Sequence, residues 1–563
     1  MDIRSHLRTK IDESLKKLGI SGEVVLEHPT ELSHGDYSTN IAMVLAQKAK
    51  SNPKALAEDI AKNIPKSEYI SRVEVAGPGF INFYLVEDFF SQAVKDVIER
   101  GDSFGKNNLH EGRRILVEHS SPNLFKPFHV GHVMNNAIGE SIVRLAEFSG
   151  AETIKISFPS DVSLGIGKAV WALFSNGVKK IDEFETDLEK LKFLGDCYVE
   201  GTKAYDEDEN VQKQVKKITE RIDNKVEGVE YDAYLKGKEI TLDYFLKITK
   251  RLGSEFQDFI FESEAGEVGE KIVRENLKKV FETSDGAIIY NGEKEGLHTR
   301  VFINKEGYPT YEAKDIGLLD IKFRRFDPDI SIVVTDHNQS EYYKVVLSAG
   351  EKINKNWSEK TIHRTHGRMS FKGKKMSSRL GGVPTAQEIL ENVGELVKER
   401  IEEKNDLEKI DMISISALKF TILKAMSGKN INFDPETSLS FEGDSGPYLA
   451  YTSARANSVV EKGIGQGMKI DNPKEKDRII SNVEKLIYRF EEIVESAIKD
   501  WTPHVIASYL LELAREYNSW YGETKIIDEN NVNAGYNLAK TKSVSQIIKN
   551  GLYLLGIKTP ERM

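Results

Sequence analysis

Residues 114–149 restrict the fold more than any other part of the chain, because they read as a strand, a polar loop and a helix in succession. The apolar run at residues 115–117 has the length and bulk of a short buried strand. Apolar residues at three- and four-residue steps indicate the helix, namely Met134, Ile138, Ile142 and Leu145. A second apolar run at residues 154–158 follows Gly150, so the unit is predicted to be a parallel crossover.

The loop of this crossover is the expected site, because parallel sheets bind ligands where the strands' carboxyl ends meet helix N-termini. His129, Val130, Gly131 and His132 stand at the predicted start of the helix. Two imidazoles three residues apart can point the same way, and Gly131 leaves room beside the backbone. The free N–H groups and the dipole of a helix start favour an anion, so we predict that the loop binds phosphate.

Two short motifs carry a resemblance to a known family. HVGH at residues 129–132 matches the His-x-Gly-His signature of class I aminoacyl-tRNA synthetases, and EHSSPNLFKPFHVGH at residues 118–132 resembles its arginyl-tRNA synthetase version. A second string, KMSSR at residues 375–379, lies about a catalytic domain's length downstream, and the pair in this order is specific. The strings GPYLAYTSARA, LLELAREYNSWY and the final PERM resemble the anticodon-binding bundle of arginyl-tRNA synthetases, so the resemblance spans nearly the whole chain.

The element pattern and the resemblance together imply an α/β protein with a Rossmann-like parallel-sheet core. A small α/β N-terminal domain and an all-α C-terminal bundle are expected on either side of this core. The expected parts are a tRNA-binding domain (1–86), a connecting helix and linker (87–112), a class I catalytic domain with a helical insertion at about 180–280 (113–404), and a helical anticodon-binding domain (405–563).

Composition excludes several other classes of protein. The chain has 563 residues and a net charge of -10, so it has room for several domains, and any RNA contact must come from local basic faces. Its one cysteine, Cys197, excludes an internal disulfide and a cysteine-based zinc cluster and fits a reducing compartment. The N-terminus has no apolar segment of signal length, and no stretch approaches a membrane span, so we expect a cytoplasmic protein without membrane contact.

The resemblance implies a two-step reaction that needs no protein nucleophile. The carboxylate of arginine attacks the α-phosphorus of ATP, pyrophosphate leaves, and a ribose hydroxyl at the tRNA 3′ end then takes the acyl group. Because negative charge gathers on phosphate oxygens in the first transition state, the enzyme must supply cations and N–H donors. The motifs imply the catalytic residues His129, His132, Lys126, Lys375 and Arg379. They imply ATP contacts, with Mg2+ on the phosphates, at Pro122, Phe128, His129, Gly131, His132, Met369, Lys375, Met376, Ser377 and Ser378.

Ser378 departs from the family pattern, which has a lysine at the fourth position of the second signature. A missing cation there weakens transition-state stabilisation unless another group replaces it. The resemblance implies that Lys126, three residues before His129, is the substitute, because arginyl enzymes without the usual second signature carry a lysine at this place. The division of labour between Lys126 and Lys375 stays open.

Selection of arginine requires carboxylates, because a guanidinium is planar, permanently cationic and forked. Tyr311 and Asp315 share a face if residues 311–319 are helical, and their spacing resembles the arginine-reading Tyr and Asp of the family. Without the resemblance, Asp315 would be an ordinary carboxylate on a helix surface. The resemblance implies arginine contacts at Glu118, Ser120, Asn123, His132, Glu262, Tyr311, Asp315 and Gln339. Asn123 and Gln339 are expected to hold the α-amino and carboxyl groups.

Candidate RNA contacts come from both ends of the chain. The run HGDYSTN at residues 34–40 reads as a turn with a helix cap, but the similar family domain implies RNA contacts at Tyr37 and Asn40. In the bundle, Tyr517 and Trp520 can stack on unpaired bases, although filling the bundle core is the simpler role for either one. The terminal Met563 completes the candidate set.

The expected function is ATP-dependent ligation of L-arginine to tRNA(Arg) through an arginyl-adenylate, by a monomer. Two alternatives remain open at this stage. The first is a non-catalytic tRNA-binding paralogue, suggested by Ser378. The second is a class I synthetase for another amino acid; the cysteinyl enzyme would need a zinc site that one cysteine makes hard to build. No resident metal site is expected in this chain.

Overall fold

The computed structural model describes residues 2–372, 384–475 and 478–559. The first part is a small α/β unit whose helices and antiparallel sheet share one hydrophobic core. Its elements are α1 (Ile3–Lys17), β1 (Tyr37–Thr39), α2 (Ile41–Leu45), α3 (Pro53–Asn63), β2 (Ile70–Ala76) and β3 (Phe80–Leu85). The sheet has the order β1-β3-β2. Helix α1 enters this core because its apolar residues recur every four positions and form one buried face, namely Ile3, Leu7, Ile11 and Leu15.

The central part alternates helices and strands, as the pattern of the sequence predicts. Its elements are α4 (Glu87–Arg100), β4 (Arg114–Glu118), α5 (Val130–Phe148), β5 (Glu152–Ser157), α6 (Leu164–Asn176), α7 (Asp187–Glu207), α8 (Glu209–Asp223), α9 (Val229–Arg251), β6 (Asp258–Phe259), α10 (Glu262–Glu275), β7 (Glu282–Ser284), β8 (Ala287–Tyr290), β9 (Arg300–Ile303), α11 (Tyr311–Phe326), β10 (Ile330–Asp336), α12 (Ser340–Ile353), α13 (Lys355–Glu359), β11 (Thr361–His366) and β12 (Met369–Phe371).

Five of these strands form the main sheet, in the order β11-β10-β4-β5-β6. All of its neighbouring pairs are parallel, and α5 makes the crossover from β4 to β5. The chain leaves β4 in one direction for β5 and β6 and later returns to its other side for β10 and β11. This reversal of strand order opens a crevice at the carboxyl ends of β4 and β10, which is where such sheets bind ligands.

The helical insertion ends earlier than the charged stretch at about 180–280 predicts. Helices α7 to α9 finish at Arg251, and β6 already pairs with β5 within that stretch. Helix α10 then packs against α11, with Gly269 and Gly317 at the contact; a Cβ on Gly269 would lie 1.8 Å from the carbonyl oxygen of Ala313. A strand of two residues has too few positions to show an alternating pattern, so the sequence alone gives no sign of it.

The last part of the chain is mainly a helical bundle. Its elements are α14 (Ala386–Lys398), α15 (Leu407–Leu423), β13 (Ile431–Phe433), α16 (Pro435–Ser438), α17 (Gly446–Gly465), α18 (Asn482–Ile487), α19 (Phe490–Asp500), α20 (Pro503–Glu523) and α21 (Ala534–Leu554). One element departs from the all-helical expectation for residues 405–563, because β13 pairs in parallel with β12. A three-residue strand between long helices is too short to interrupt their period.

The bundle packs directly against α5, the helix that starts in the predicted phosphate loop. Ser141 Oγ, on α5, donates a hydrogen bond to the carbonyl of Leu554 over 2.7 Å, at the end of α21. Within the bundle, Lys419 Nζ on α15 donates to the carbonyl of Gly556, just after α21, over 2.8 Å. In the described parts of the chain, no helix is both long and apolar enough to cross a bilayer.

Candidate active site

A cavity of about 560 Å³ opens at the carboxyl ends of β4 and β10, where the strand order reverses. Nine of the residues predicted from the sequence line it, namely Glu118, Asn123, His129, Gly131, His132, Glu262, Tyr311, Asp315 and Gln339. The loop at the start of α5 forms one wall and α11 forms another. Residues separated by more than 180 positions in the chain therefore meet in one cavity, as the resemblance implies.

The two histidines cap the start of α5. His129 is the N-cap residue, and its Nδ1 accepts a hydrogen bond from the Gly131 N–H over 3.1 Å. His132 Nδ1 in turn accepts from the His129 N–H over 3.1 Å. The rings stack with centroids 3.9 Å apart. Glycine suits position 131, since a Cβ there would lie 3.0 Å from Cε1 of His129.

This geometry fixes the hydrogens of both imidazoles. Burial and the nearby Lys126 cation lower the pKa of His129. Burial, His129 and His366 lower the pKa of His132 well below its usual value. Both rings are therefore neutral at pH 7, and because each Nδ1 accepts a hydrogen bond, each ring carries its hydrogen on Nε2. Two Nε2–H donors thus belong to residues that line the cavity.

Helix α11 carries Tyr311 and Asp315. Residues 311–319 are helical, which meets the condition under which these two side chains share a face. Tyr311 begins the helix and is 59% exposed, while Asp315 lies one turn further on and lines the same cavity. The Tyr342 hydroxyl donates a hydrogen bond to Asp315. Burial raises the pKa of Asp315 to about 7, against the opposing effect of that hydrogen bond.

Two lysines that sequence reasoning did not identify pair with two other carboxylates that line the cavity. Lys314 Nζ lies 2.8 Å from Glu262 Oε2, and Lys322 Nζ lies 2.8 Å from Glu118 Oε2. Both lysines are on α11, one residue before Asp315 and seven after it. If this segment is helical, Lys322 lies two turns after Asp315 on the same face. That seven-residue spacing is the sequence feature from which Lys322 could have been predicted.

Among the described residues, five of the predicted catalytic, ATP or arginine residues do not line this cavity, namely Ser120, Pro122, Lys126, Phe128 and Met369. Ser120 needs a correction as an arginine contact, because its side chain is fully buried and its hydroxyl bonds His119 and Asn136 instead. Its backbone has a φ of 58°, in the left-handed region that few residues other than glycine adopt. Phe128 supports the site from behind by stacking on His132, with centroids 4.7 Å apart.

The predicted cations are only partly within the described residues. Lys126 Nζ lies 3.9 Å from the ring centroid of Tyr198, on insertion helix α7. Lys375, Met376, Ser377, Ser378 and Arg379 lie outside the described residues. The next described residue, Pro384, is adjacent to the histidine loop, since its carbonyl accepts from the Val130 N–H over 3.3 Å.

The candidate RNA contacts divide by exposure. Tyr37 is 1% exposed, and its hydroxyl donates a hydrogen bond to Glu492. Tyr517 is 0% exposed and lies in the core of the bundle. Their predicted RNA contacts are therefore corrected, because both rings are packed inside the protein. Asn40 is exposed, and Trp520 is partly buried with Lys540 Nζ 4.4 Å from its ring centroid. Met563 lies outside the described residues.

No cluster suited to a metal ion occurs within residues 2–372, 384–475 and 478–559. Specifically, those ranges hold no group of three or more His, Cys, Asp or Glu side chains that could hold one. The lone Cys197 is buried, and burial raises the pKa of its thiol to about 11.

Three family models match the chain in succession. They are the arginyl-tRNA synthetase N-terminal domain at residues 5–85, the class I (R) tRNA synthetase catalytic domain at residues 93–434, and the DALR anticodon-binding domain at residues 449–563. The catalytic-domain model alone covers more than half of the chain. The three matches follow the order of the α/β unit, the parallel sheet and the bundle.

Curated relatives match over almost their whole length. Arginine–tRNA ligase 1 of Bacillus cereus is 30% identical over 554 residues, which cover 96% of this chain and 95% of the relative. Arginine–tRNA ligase of Borreliella burgdorferi is 28% identical over 585 residues, with 99% and 98% covered. The structure of Thermus thermophilus arginyl-tRNA synthetase has the same fold, with a TM-score of 0.81 over 100% of both chains at 23% identity. This chain belongs to the class I arginyl-tRNA synthetase family.

Proposed function

We propose that the cavity between the histidine loop and α11 is where this chain, as an arginine–tRNA ligase, activates L-arginine with ATP and transfers it to tRNA(Arg). The observation that carries the proposal is that neutral imidazole donors and a buried carboxyl group, Asp315, which accepts a hydrogen bond from the Tyr342 hydroxyl, line one cavity. The imidazole N–H groups can donate to a triphosphate, and the carboxylate can accept from a guanidinium. Membership of the arginyl family sets aside a synthetase for another amino acid.

The histidine loop serves the phosphate side of the reaction. The Nε2–H groups of His129 and His132 donate to the phosphate oxygens that gain charge as the carboxylate attacks the α-phosphorus and pyrophosphate leaves. The start of α5 adds the positive end of its dipole. Lys126 supplies a cation, and Lys375 and Arg379 are further proposed cations from the second signature. ATP enters as its magnesium complex, so Mg2+ is part of the substrate.

The α11 wall serves the amino acid side. Asp315, once ionised, accepts paired hydrogen bonds from the guanidinium, and Tyr311 covers its face. Glu262 contributes a second carboxylate oxygen, with its charge balanced by Lys314. Asn123 and Gln339 hold the α-amino and carboxyl groups, and Glu118 supports them. The proposal also takes the enzyme to act as a monomer in the cytoplasm, where tRNA is charged.

Pyrophosphate exchange with purified enzyme tests this function. Exchange should require arginine and tRNA(Arg) together with magnesium ATP, and lysine should not replace arginine. Exchange supported by another amino acid and not by arginine would reject the specificity. A chain that binds tRNA but neither exchanges nor charges would instead be the non-catalytic paralogue.

The variant Asp315→Asn tests whether the arginine pocket lies beside α11. It removes a charged acceptor from the guanidinium, so the KM for arginine should rise by about 10- to 100-fold with little change for ATP. Asp320→Asn on the same helix is the matched control, because Asp320 pairs with Arg324 away from the cavity. Equal arginine dependence in the two variants would show that the pocket lies elsewhere.

A further inference from the structure

Asp161 is a fully buried carboxylate that none of the roles above uses. It lies in the loop between β5 and α6 and bonds two other parts of the chain. Its Oδ1 accepts from the Ser263 N–H over 2.9 Å, and its Oδ2 accepts from Ser263 Oγ over 2.8 Å. Oδ2 also accepts from Lys238 Nζ over 2.8 Å and from the Tyr234 hydroxyl over 3.2 Å.

The bonds to Ser263 fix the start of α10. Helix α10 has no capping side chain of its own, because its N-cap residue is Phe261. The loop after β5 supplies the missing acceptors: the Glu262 N–H donates to the carbonyl of Pro159 over 3.1 Å, and the next N–H donates to Asp161. Asp161 therefore acts as a remote cap for a helix start that would otherwise leave buried donors unpaired.

Glu262 is the first residue of this helix, and its carboxylate lines the cavity. The backbone of the first turn determines where that carboxylate lies, because the glutamate side chain occupies a small set of rotamers and its Oε2 is held by Lys314. A loss of the remote cap lets the first turn fray, which moves Glu262 before it disturbs the rest of the sheet.

The other two bonds tie the insertion to the same turn. Tyr234 and Lys238 are one helical turn apart on α9 and both reach Asp161. Lys238 Nζ also lies 3.7 Å from the ring centroid of Phe261, the residue before Glu262. Helix α9 of the insertion therefore contacts both the Asp161 carboxylate and the Phe261 ring, which lie next to the start of α10.

We propose that Asp161 is a positioning residue for arginine selection, which holds the Glu262 carboxylate in place by capping α10 and by joining it to insertion helix α9. The inference rests on the proposed role of Glu262 toward arginine. Asp161 contacts neither substrate nor ATP in this assignment. A merely structural ion pair would lower stability without distinguishing arginine from ATP, so the two roles differ in kinetics.

The test is Asp161→Asn, assayed by pyrophosphate exchange with tRNA present. The change turns one acceptor into an N–H2 group that faces donors, so the KM for arginine should rise about tenfold, the effect of losing one charge-assisted hydrogen bond. The KM for ATP should stay within about twofold, because the histidine loop is not part of this contact. Equal increases for both substrates, or no increase for arginine, would overturn the proposal.

A double-mutant cycle with Glu262→Gln shows whether Asp161 acts through Glu262. In the Glu262→Gln background, Asp161→Asn should add less than about twofold to the KM for arginine. A full additional increase overturns the inference while leaving the role of Glu262 intact. If Glu262→Gln alone leaves the KM for arginine unchanged, then the proposed role of Glu262 fails, and the inference falls with it.

Two further variants complete the experiment. Tyr234→Phe is the matched control. It removes the longest bond to Asp161 and the 3.4 Å bond that the Tyr234 hydroxyl accepts from Lys238, but it leaves both bonds between Asp161 and Ser263, so its KM values should equal those of the unaltered enzyme. If Asp161→Asn yields no folded enzyme, Lys238→Met tests the same contact between α9 and Asp161, because the Lys238 side chain is 21% exposed and its replacement is better tolerated. It should raise the KM for arginine about threefold with that for ATP unchanged, and parallel changes would overturn the proposal.

Discussion

Lys322 Nζ lies 2.8 Å from Glu118 Oε2, and the two side chains are only 0% and 8% exposed. Glu118 ends the central strand β4 at the cavity, while Lys322 belongs to the same helix as Asp315. Lys314, also on α11, neutralises Glu262 in the same way. Helix α11 therefore provides both the carboxylate that we propose for guanidinium binding and the counter-ions of two nearby carboxylates. Asp315 differs from these two carboxylates, because burial raises its pKa to about 7 and its hydrogen-bond donor is the Tyr342 hydroxyl.

Removal of the Lys322 ammonium should destabilise the fold strongly. Lys322→Met leaves the Glu118 carboxylate buried without its counter-ion, so the free energy of unfolding should fall by about 3–5 kcal/mol in urea titrations. Adding Glu118→Gln should restore much of that loss, because the uncompensated charge is gone. Lys344→Met, which breaks the exposed pair with Glu341, should cause no measurable loss. Equal losses from the two lysine variants would contradict the importance of the buried pair.

Arginine binding should depend on pH through Asp315. Burial raises its pKa to about 7, so below pH 7 the group holds a proton that must leave before it can accept bonds from the guanidinium. The KM for arginine should therefore rise as pH falls below 7, by up to about tenfold for each pH unit, and be flat above it. The kcat at saturating arginine should stay level, since both catalytic imidazoles are already neutral.

Asp315→Asn provides the control for this pH profile. The variant should have a high KM for arginine that no longer varies between pH 6 and 8, because the titrating group is missing. Calorimetry in buffers of different ionisation enthalpy should detect release of about half a proton on arginine binding at pH 7 in the unaltered enzyme. A pH profile that persists in the variant would assign the effect to another group.

Either histidine should matter to the chemical step more than to arginine binding. His129→Asn keeps a side-chain acceptor for the start of α5 but withdraws the Nε2–H donor, so kcat for exchange should fall by about 10²–10³. The KM for arginine should change little, because the guanidinium side is formed by α11. A large rise in that KM with kcat unchanged would mean that His129 holds the amino acid instead.

The N-terminal unit offers a direct comparison of two predicted RNA contacts. Asn40→Ala alters an exposed side chain and should raise the KM for tRNA several-fold, about 1 kcal/mol for one lost hydrogen bond. Tyr37→Phe removes the buried hydroxyl that binds Glu492 and should lower the melting temperature while leaving the KM for tRNA unchanged. A higher KM for tRNA in Tyr37→Phe, with no change in Asn40→Ala, would instead support Tyr37 as the RNA contact.

Much of the site could be predicted because the residue patterns that indicate it lie within short segments of the chain. An apolar run, a polar loop and a three- to four-residue period indicated β4 and α5 with His129 at the helix start. The four-residue spacing of Tyr311 and Asp315 indicated one face of α11, which the structure confirms. Such features depend on backbone geometry within a few residues, and the sequence contains that information directly.

Other features were decided only by contacts between distant segments. The pairing of Lys322 with Glu118 joins residues 204 positions apart, and the bond from Tyr37 to Glu492 joins residues 455 apart. The burial of Ser120 and the two-residue strand β6 likewise depend on the segments that pack beside them. A side chain's exposure and counter-ion are set by neighbours that folding brings together, so the periodicity and motifs of one segment determine its own conformation but not which charges it meets.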